Sequence, residues 1–391
     1  MTRLTNARLP DGRRVDLTLQ NGRIAAITPH TAPPHTAPPN TAHPSDTDLA
    51  GALLLPGLVE GHVHLDKTLM GQAWRPNAPA PSVPGRVAYE RAHRAELGPV
   101  RPRAMALLAR MIAAGTTALR THTDIDDKSG LANFHGTLEV AQAMRAILPI
   151  QIVAFPQSGI LTHAAIPDLL DAALAEGADL VGGLDPATFD GDAKAHLDIV
   201  FGLAAKHGKG IDIHLHDRDP GGNAQLRDIA ARSQAAGMQG HVTVSHAFSL
   251  GTTDEADFAR TADALAKGGV AILTAAPGPG PMPPIKPLRA HGVTIAGGND
   301  NIRDLWSPFG TGDMLERAWM IAQRQGFRAD DDLALAYETC STAGARMMNL
   351  PIPALEPGAP ATFLALQAET LAEAITERPR DRQVWIAGVR Q

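Results

Sequence analysis

The sequence predicts an α/β protein: a (β/α)8 TIM-like barrel with a small β-sandwich domain built from both chain termini. Three observations carry this expectation. Short apolar, β-branched runs alternate with helical stretches between residues 57 and 350. Eight such runs can be counted, and polar, chemistry-bearing residues gather where they end. Alternation of strand and helix argues for a parallel sheet, eight units argue for closure, and functional groups at strand ends match the catalytic face of such barrels.

Each element follows from local pattern. Val15-Asp16-Leu17-Thr18-Leu19 alternates apolar and polar, Asn21-Gly22 is a hairpin turn signal, and Arg23-Ile24-Ala25-Ala26-Ile27 returns. A degenerate repeat follows: Thr31-Ala32-Pro33-Pro34-His35, Thr36-Ala37-Pro38-Pro39-Asn40, Thr41-Ala42-His43-Pro44. Proline at this density removes backbone donors and favours solvated chain. Residues 31–45 therefore read as a flexible surface loop, with His35 and His43 facing solvent. The apolar stretch Leu53-Leu54-Leu55-Pro56-Gly57-Leu58-Val59 then runs into the first barrel strand. Thr117–His122, Ile150–Phe155, Leu180–Leu184, Gly210–His214, Val242–His246, Val270–Leu273 and Val293–Gly297 supply the other seven, with a helix over 166–176. After Leu350 short strands resume, at Ala361–Leu366 and Arg382–Gly388. The expected division is residues 1–56 with 351–391 for the β domain, and 57–350 for the barrel.

Composition narrows the function classes. The chain has 391 residues, 44% of them apolar, enough for one large and one smaller domain. Its formal charge of −6 and the lack of a basic run speak against nucleic-acid binding. A single cysteine, Cys340, excludes an internal disulfide and suits a reducing compartment; it is expected in the core of a helical stretch. No signal-peptide pattern opens the chain, and no apolar run nears the roughly 20 residues of a membrane span. A soluble cytoplasmic protein is the consequent reading, and a homo-oligomer is expected.

The chemistry starts at Gly61-His62-Val63-His64-Leu65-Asp66-Lys67. Two histidines two apart on a strand share a face, and neutral imidazole is a common ligand for zinc and its neighbours. An HxH pair alone is a weak signal, but later strands bring partners. Strand-end polar residues are His122 and Asp124, then Gln157, then His214 and His216, then His246, and finally Asp300 with Asn301. His62, His64, His214 and Asp300 supply three imidazoles and a carboxylate, a donor set for one divalent ion, zinc first and ferrous iron second. Such an ion lowers the pKa of water. Asp300 could both ligate and accept a proton, and His246 is placed to hydrogen-bond the attacking oxygen or the developing oxyanion.

With these residues in hand, the chain resembles the amidohydrolase superfamily, in its cytosine-deaminase-like branch. Pro56–Lys67, Gln151–Ile160, Asp212-Ile213-His214, Ser245-His246-Ala247 and Asp300-Asn301 carry the resemblance, which covers nearly the whole chain. It implies the barrel, the β domain, the metal roles of His62, His64, His214 and Asp300, and substrate contact by Gln157. Cytosine deaminases place a glutamate three residues after the fifth-strand histidine, where this chain has Asp217, and a histidine before the metal aspartate, where it has Asn299. His214-Leu215-His216-Asp217, Pro281–Lys286 and the run Asp300–Gly310 are instead similar to s-triazine aminohydrolases of that branch, as is Lys67. The implied reaction is hydrolytic removal of an amino or alkylamino group from an s-triazine or pyrimidine-type heterocycle. The alternatives are a cytosine-deaminase-type activity and, further off, an inactive small-molecule-binding barrel. His216 is expected to shuttle the proton, because alternation along the fifth strand puts it on the side of His214 and turns Asp217 away. Lys67 joins Asp300, His246 and His216 as a catalytic candidate, and Gln157, Asn301, Trp306 and Asp217 are substrate-binding candidates. Simpler readings stand beside these: a structural hydrogen bond for His122, an even choice for Asp124, and a ligand-orienting or capping role for Asp66. Arg303 and Asp304 read as an ion pair under Trp306, and Pro277–Pro284 as a rigid loop before a cavity wall.

Overall fold

The structure is a computed structural model and describes residues 1–31, 46–77 and 82–391. The Thr-Ala-Pro-Pro repeat falls almost wholly outside the described residues. Eight parallel strands form the barrel sheet in sequential order: Leu58–Val63, Thr116–Asp124, Ile150–Phe155, Leu180–Leu184, Gly210–Leu215, Val242–His246, Val270–Thr274 and Ile295–Gly297. A parallel bridge between Val63 and Asp300 joins the eighth unit back to the first. The strands read as near-continuous apolar runs because both faces are covered, as parallel sheets require. The expected strand positions agree with those observed to within a few residues.

Helices cover the barrel through one apolar stripe each. In Ile166–Glu176 the buried residues are Ile166, Leu170, Ala173 and Leu174, spacings that keep one face inward. Gly177, at φ 124°, ends it in a conformation other residues avoid. Met314–Gln325 starts at Asp313, whose side chain accepts from the Leu315 N–H. Arg382 also grips Asp313 through two hydrogen bonds of 2.8 and 2.7 Å, tying the C-terminal strand to this barrel helix. Cys340 caps the helix Asp330–Thr339 and is fully buried.

The termini pair into a second, mixed sheet in the order Val389–Arg390, Arg382–Ile386, Phe363–Leu366, Leu53–Pro56, Thr2–Arg8, Arg14–Gln20, Arg23–Pro29, with Asp46–Asp48 also on Thr2–Arg8. The strands of the expected sandwich are thus hydrogen-bonded as one continuous sheet. Its central strands are apolar on both faces. Leu54, Phe363, Ala365 and Trp385 pack on the sheet's own core, while Leu53, Leu55, Leu364, Leu366, Val384 and Ile386 join the barrel core. Period-two side-chain alternation therefore lets one sheet serve two cores.

The closure point also sets the site. A Cβ at Gly298 would lie 2.7 Å from the His62 nitrogen and Cβ, and 2.9 Å from Glu60. Gly298→Ala should therefore displace His62, with a stability loss of about 1–3 kcal/mol and weakened metal retention. Urea unfolding together with elemental analysis measures both effects.

Candidate active site

The predicted strand-end residues converge at the C-terminal mouth of the barrel. His62 is fixed first. Ser245 donates to Asp212 Oδ1 at 2.9 Å, so its oxygen accepts from His62 Nδ1, also at 2.9 Å. Asp212 is itself held by Arg120 at 2.8 Å. This chain sets the His62 tautomer and leaves the Nε2 lone pair aimed inward. That nitrogen is buried with no hydrogen-bond partner and lies 3.5 Å from Asp300 Oδ1; His64 Nε2 lies 3.2 Å from the same oxygen. His62, His64 and Asp300 form one potential ligand triple, and His62, His214 and His246 a second that overlaps it. The four residues expected to ligate thus meet through His62, with His246 close beside them.

The electrostatics suit a cation. Burial holds His64, His214 and His246 below the usual imidazole range, so each ring is neutral and offers one nitrogen lone pair. Burial opposes the charged form of Asp300, but the imidazoles of His62, His64 and His246 around it outweigh burial and hold its pKa well below the usual carboxylate range, so it is an anion. Both ring nitrogens of His214 and of His246 are buried without partners. An unsatisfied buried polar group costs about 1–3 kcal/mol, which a bound divalent ion would relieve for its ligands. His214 is oriented by stacking on Phe155 at 4.1 Å, and His246 by stacking on His216 at 4.5 Å. His246 and Asp300 hold φ of 74° and 61°, a left-handed conformation that non-glycine residues adopt at a cost and that clusters at active sites. The donor set therefore fits a divalent metal. Ser245→Ala, which frees the His62 ring to turn, should weaken metal affinity by about 10–100-fold; competition with a chromogenic chelator reads it.

The fifth strand ends at Leu215, one residue before His216. His216 is nonetheless held toward the site, because Asp185 accepts from its backbone N–H at 2.6 Å and from Nδ1 at 2.9 Å. That leaves Nε2 as the free nitrogen. Burial disfavours its charge, but Asp185 prevails and raises its pKa. Asp217, expected near substrate, turns away and accepts from Gln225 at 2.6 Å.

A cavity of about 310 Å³ opens over these groups, lined among others by His64, Lys67, Gln157, His214, His216, His246, Asp300, Asn301 and Trp306. Lys67 is only 2% exposed, and lies 3.2 Å from Asp124 and 3.3 Å from Glu90. Burial disfavours its charge, yet Asp124, Glu90 and Asp66 together push its pKa up, so it stays an ammonium. It donates to the side-chain oxygen of Gln157, itself a residue of the cavity lining. Trp306 donates from Nε1 to Glu90 at 2.6 Å, and Asn301 donates to Asp304 at 2.6 Å.

Several simpler readings change. His122 makes no ring hydrogen bond; it stacks on His62 at 3.9 Å, and burial pushes its pKa down to about 3. Asp124 pairs with Lys67 and Arg94 beneath the cavity. Asp66 accepts from the Asp124 N–H at 3.0 Å. Arg303 does not pair with Asp304: it donates to the Gln72 carbonyl, whereas Asp304 accepts from the Trp306 and Ser307 N–H groups, and burial pushes Asp304 up to about 7. Pro277 lines the cavity wall. Asp185, Glu60 and Glu90 escaped sequence reasoning. Glu60 accepts from the backbone N–H groups of His62 at 3.1 Å and Asn299 at 2.8 Å, locking the first strand to the eighth.

With this geometry in view, comparison with known proteins is direct. The model of the amidohydrolase family matches residues 47–390. N-isopropylammelide isopropylaminohydrolase from Burkholderia multivorans is 43% identical, with all of this chain and 98% of that one covered and a TM-score of 0.92. 5-Methylcytosine deaminase from Klebsiella pneumoniae, bound to 5-fluorocytosine, is 27% identical over all of this chain and 97% of its own, with a TM-score of 0.88. The uncharacterized protein YahJ of Escherichia coli is 37% identical over 71% of this chain, and the match spans 61% of that protein's length. The chain belongs to the amidohydrolase family, enzymes that hydrolyse carbon–nitrogen bonds.

Proposed function

We propose that the protein is a metal-dependent hydrolase that replaces an amino or alkylamino substituent of an s-triazine or pyrimidine-type ring with a hydroxyl group. The observation that carries this reading is the convergence of His62, His64, His214, His246 and Asp300 under a cavity walled by Gln157, Asn301 and Trp306. His62, His64, His214 and Asp300 would hold one zinc ion, whose part is to make water nucleophilic near neutral pH. The protein's own groups do the rest. Asp300 accepts the proton of the attacking water, and His246 hydrogen-bonds the oxygen that joins the ring carbon. His216, free at Nε2, carries a proton to the departing nitrogen, so the carbon–nitrogen bond breaks with a neutral amine as leaving group. Lys67 fixes the carbonyl end of Gln157, so that its NH₂ offers donors to ring nitrogens or carbonyl oxygens. Trp306 supplies a flat wall for the heterocycle. The domain division at 56/57 and 350/351 belongs to the same reading.

The relatives named for s-triazine and pyrimidine chemistry support this choice. The bond from Gln225 to Asp217 favours the s-triazine side, since it withdraws the residue at the position of the deaminase glutamate. A panel of amino- and alkylamino-substituted s-triazines and pyrimidines, assayed for ammonia or amine release by zinc-loaded enzyme, tests the proposal. Turnover of at least one member is expected; a panel with none would contradict it.

A further inference from the structure

The basic groups around the cavity are not all balanced. Lys67 faces two carboxylates, Asp124 and Glu90. Arg86 and Arg218 line the same 310 Å³ cavity, and among the described residues neither has a carboxylate within ion-pair distance. Asp300, the one carboxylate lining that cavity, is engaged by His62 and His64. Arg86 is tethered, whereas Arg218 is solvent-exposed and its guanidinium rests only on an aromatic ring. Arg86, on the helix Val83–His93, donates to the Trp306 carbonyl oxygen. The Arg218 guanidinium lies 5.3 Å from the centre of the Phe248 ring, itself a lining residue. A carbonyl and an aromatic face orient a guanidinium without neutralising it. The result is two positive charges at one cavity, neither with a carboxylate partner among the described residues, on a chain whose formal charge is −6. Guanidinium presents a planar fork of donors suited to carboxylate and similar oxyanions.

We propose that the natural substrate is anionic: a heterocycle bearing a carboxylate or comparable oxyanion on the ring or on the departing nitrogen, recognised by Arg86 and Arg218. This rests on the hydrolytic reading above and narrows its substrate class. The two arginines then set specificity, by drawing anionic rings to the mouth and orienting them with the reacting carbon inward.

Matched pairs test it on the zinc-loaded enzyme: an s-triazine carrying isopropylamino against carboxymethylamino, and cytosine against its 5-carboxylate. Titration calorimetry reads binding, and amine release is followed on the same samples. The carboxylate member of at least one pair should bind about 10–100-fold tighter than its neutral partner. Arg86→Gln and Arg218→Gln should each shrink that ratio, and added salt should shrink it in the wild-type enzyme. Equal or weaker binding of both carboxylates, or a ratio that survives both substitutions, overturns the proposal. Charge-dependent binding without amine release from any compound would count against the hydrolytic reading while upholding this one. Turnover of neutral rings with no charge preference would do the reverse.

Discussion

His62→Ala and His214→Ala should each abolish metal retention and turnover together. His62 belongs to the triple with His64 and Asp300 and to the triple with His214 and His246, so its loss dismantles both of these. Its Nε2 has no protein partner, and the Asp212–Ser245 chain exists to aim it. His214 sits between Phe155 and His246 with both ring nitrogens unpaired, an arrangement with no structural hydrogen bond to defend. Without the ion, water keeps its ordinary pKa of about 15.7 instead of about 7, and the rate falls by orders of magnitude. Folding should survive, since the removed ring makes no hydrogen bond in one case and one in the other. Elemental analysis after dialysis, circular dichroism and the amine-release assay form the check. A folded His62→Ala protein that keeps one equivalent of metal would be the contrary result.

The second large effect concerns proton transfer. His216→Ala should lower turnover by about 10²–10⁴ with the metal still bound, because His216 stands outside the ligand set and a missing general acid or base typically has that effect. Asp185 holds its ring by Nδ1 and raises its pKa, which suits a group that must carry a proton near neutrality. Asp217→Asn should be milder, since that carboxylate is occupied by Gln225. Asp217→Glu probes the deaminase alternative by restoring the spacing of that branch. If Asp217→Asn proves as damaging as His216→Ala while metal is retained, the assignment of the shuttle to His216 fails.

Much of this was legible in the sequence because barrel strands are apolar on both faces and their ends are not. Val242-Thr243-Val244-Ser245-His246 declares both its strand and its functional terminus, and the structure keeps those limits. His216 faces the cavity, but strand alternation alone does not put it there. Strand alternation stops at Leu215, and it is Asp185 that holds the ring. Asp185 itself was hidden, because Leu180-Val181-Gly182-Gly183-Leu184 offers no polar residue and the turn that follows, with Asp185 at φ 39°, has no periodic signature. The helix Val83–His93, which brings Arg86 to the cavity and Glu90 against Lys67, interrupts the strand–helix alternation and is weakly amphipathic, so its pattern carries little signal. Asn299 was read only as a departure from the deaminase pattern. Its side chain donates to Glu60 and accepts from Arg317 at 3.1 Å, a buried network whose partners are far apart in sequence.

The central claim is that one metal ion, held by the strand-end histidines and Asp300, drives removal of an amine from a heterocycle. Metal-free enzyme titrated with zinc, with initial rates of amine release recorded at each addition on the best substrate of the panel, tests it most directly. The account predicts negligible release without metal and a linear rise that breaks at one equivalent per chain. Full activity in the metal-free enzyme, or a break at two equivalents, would contradict it.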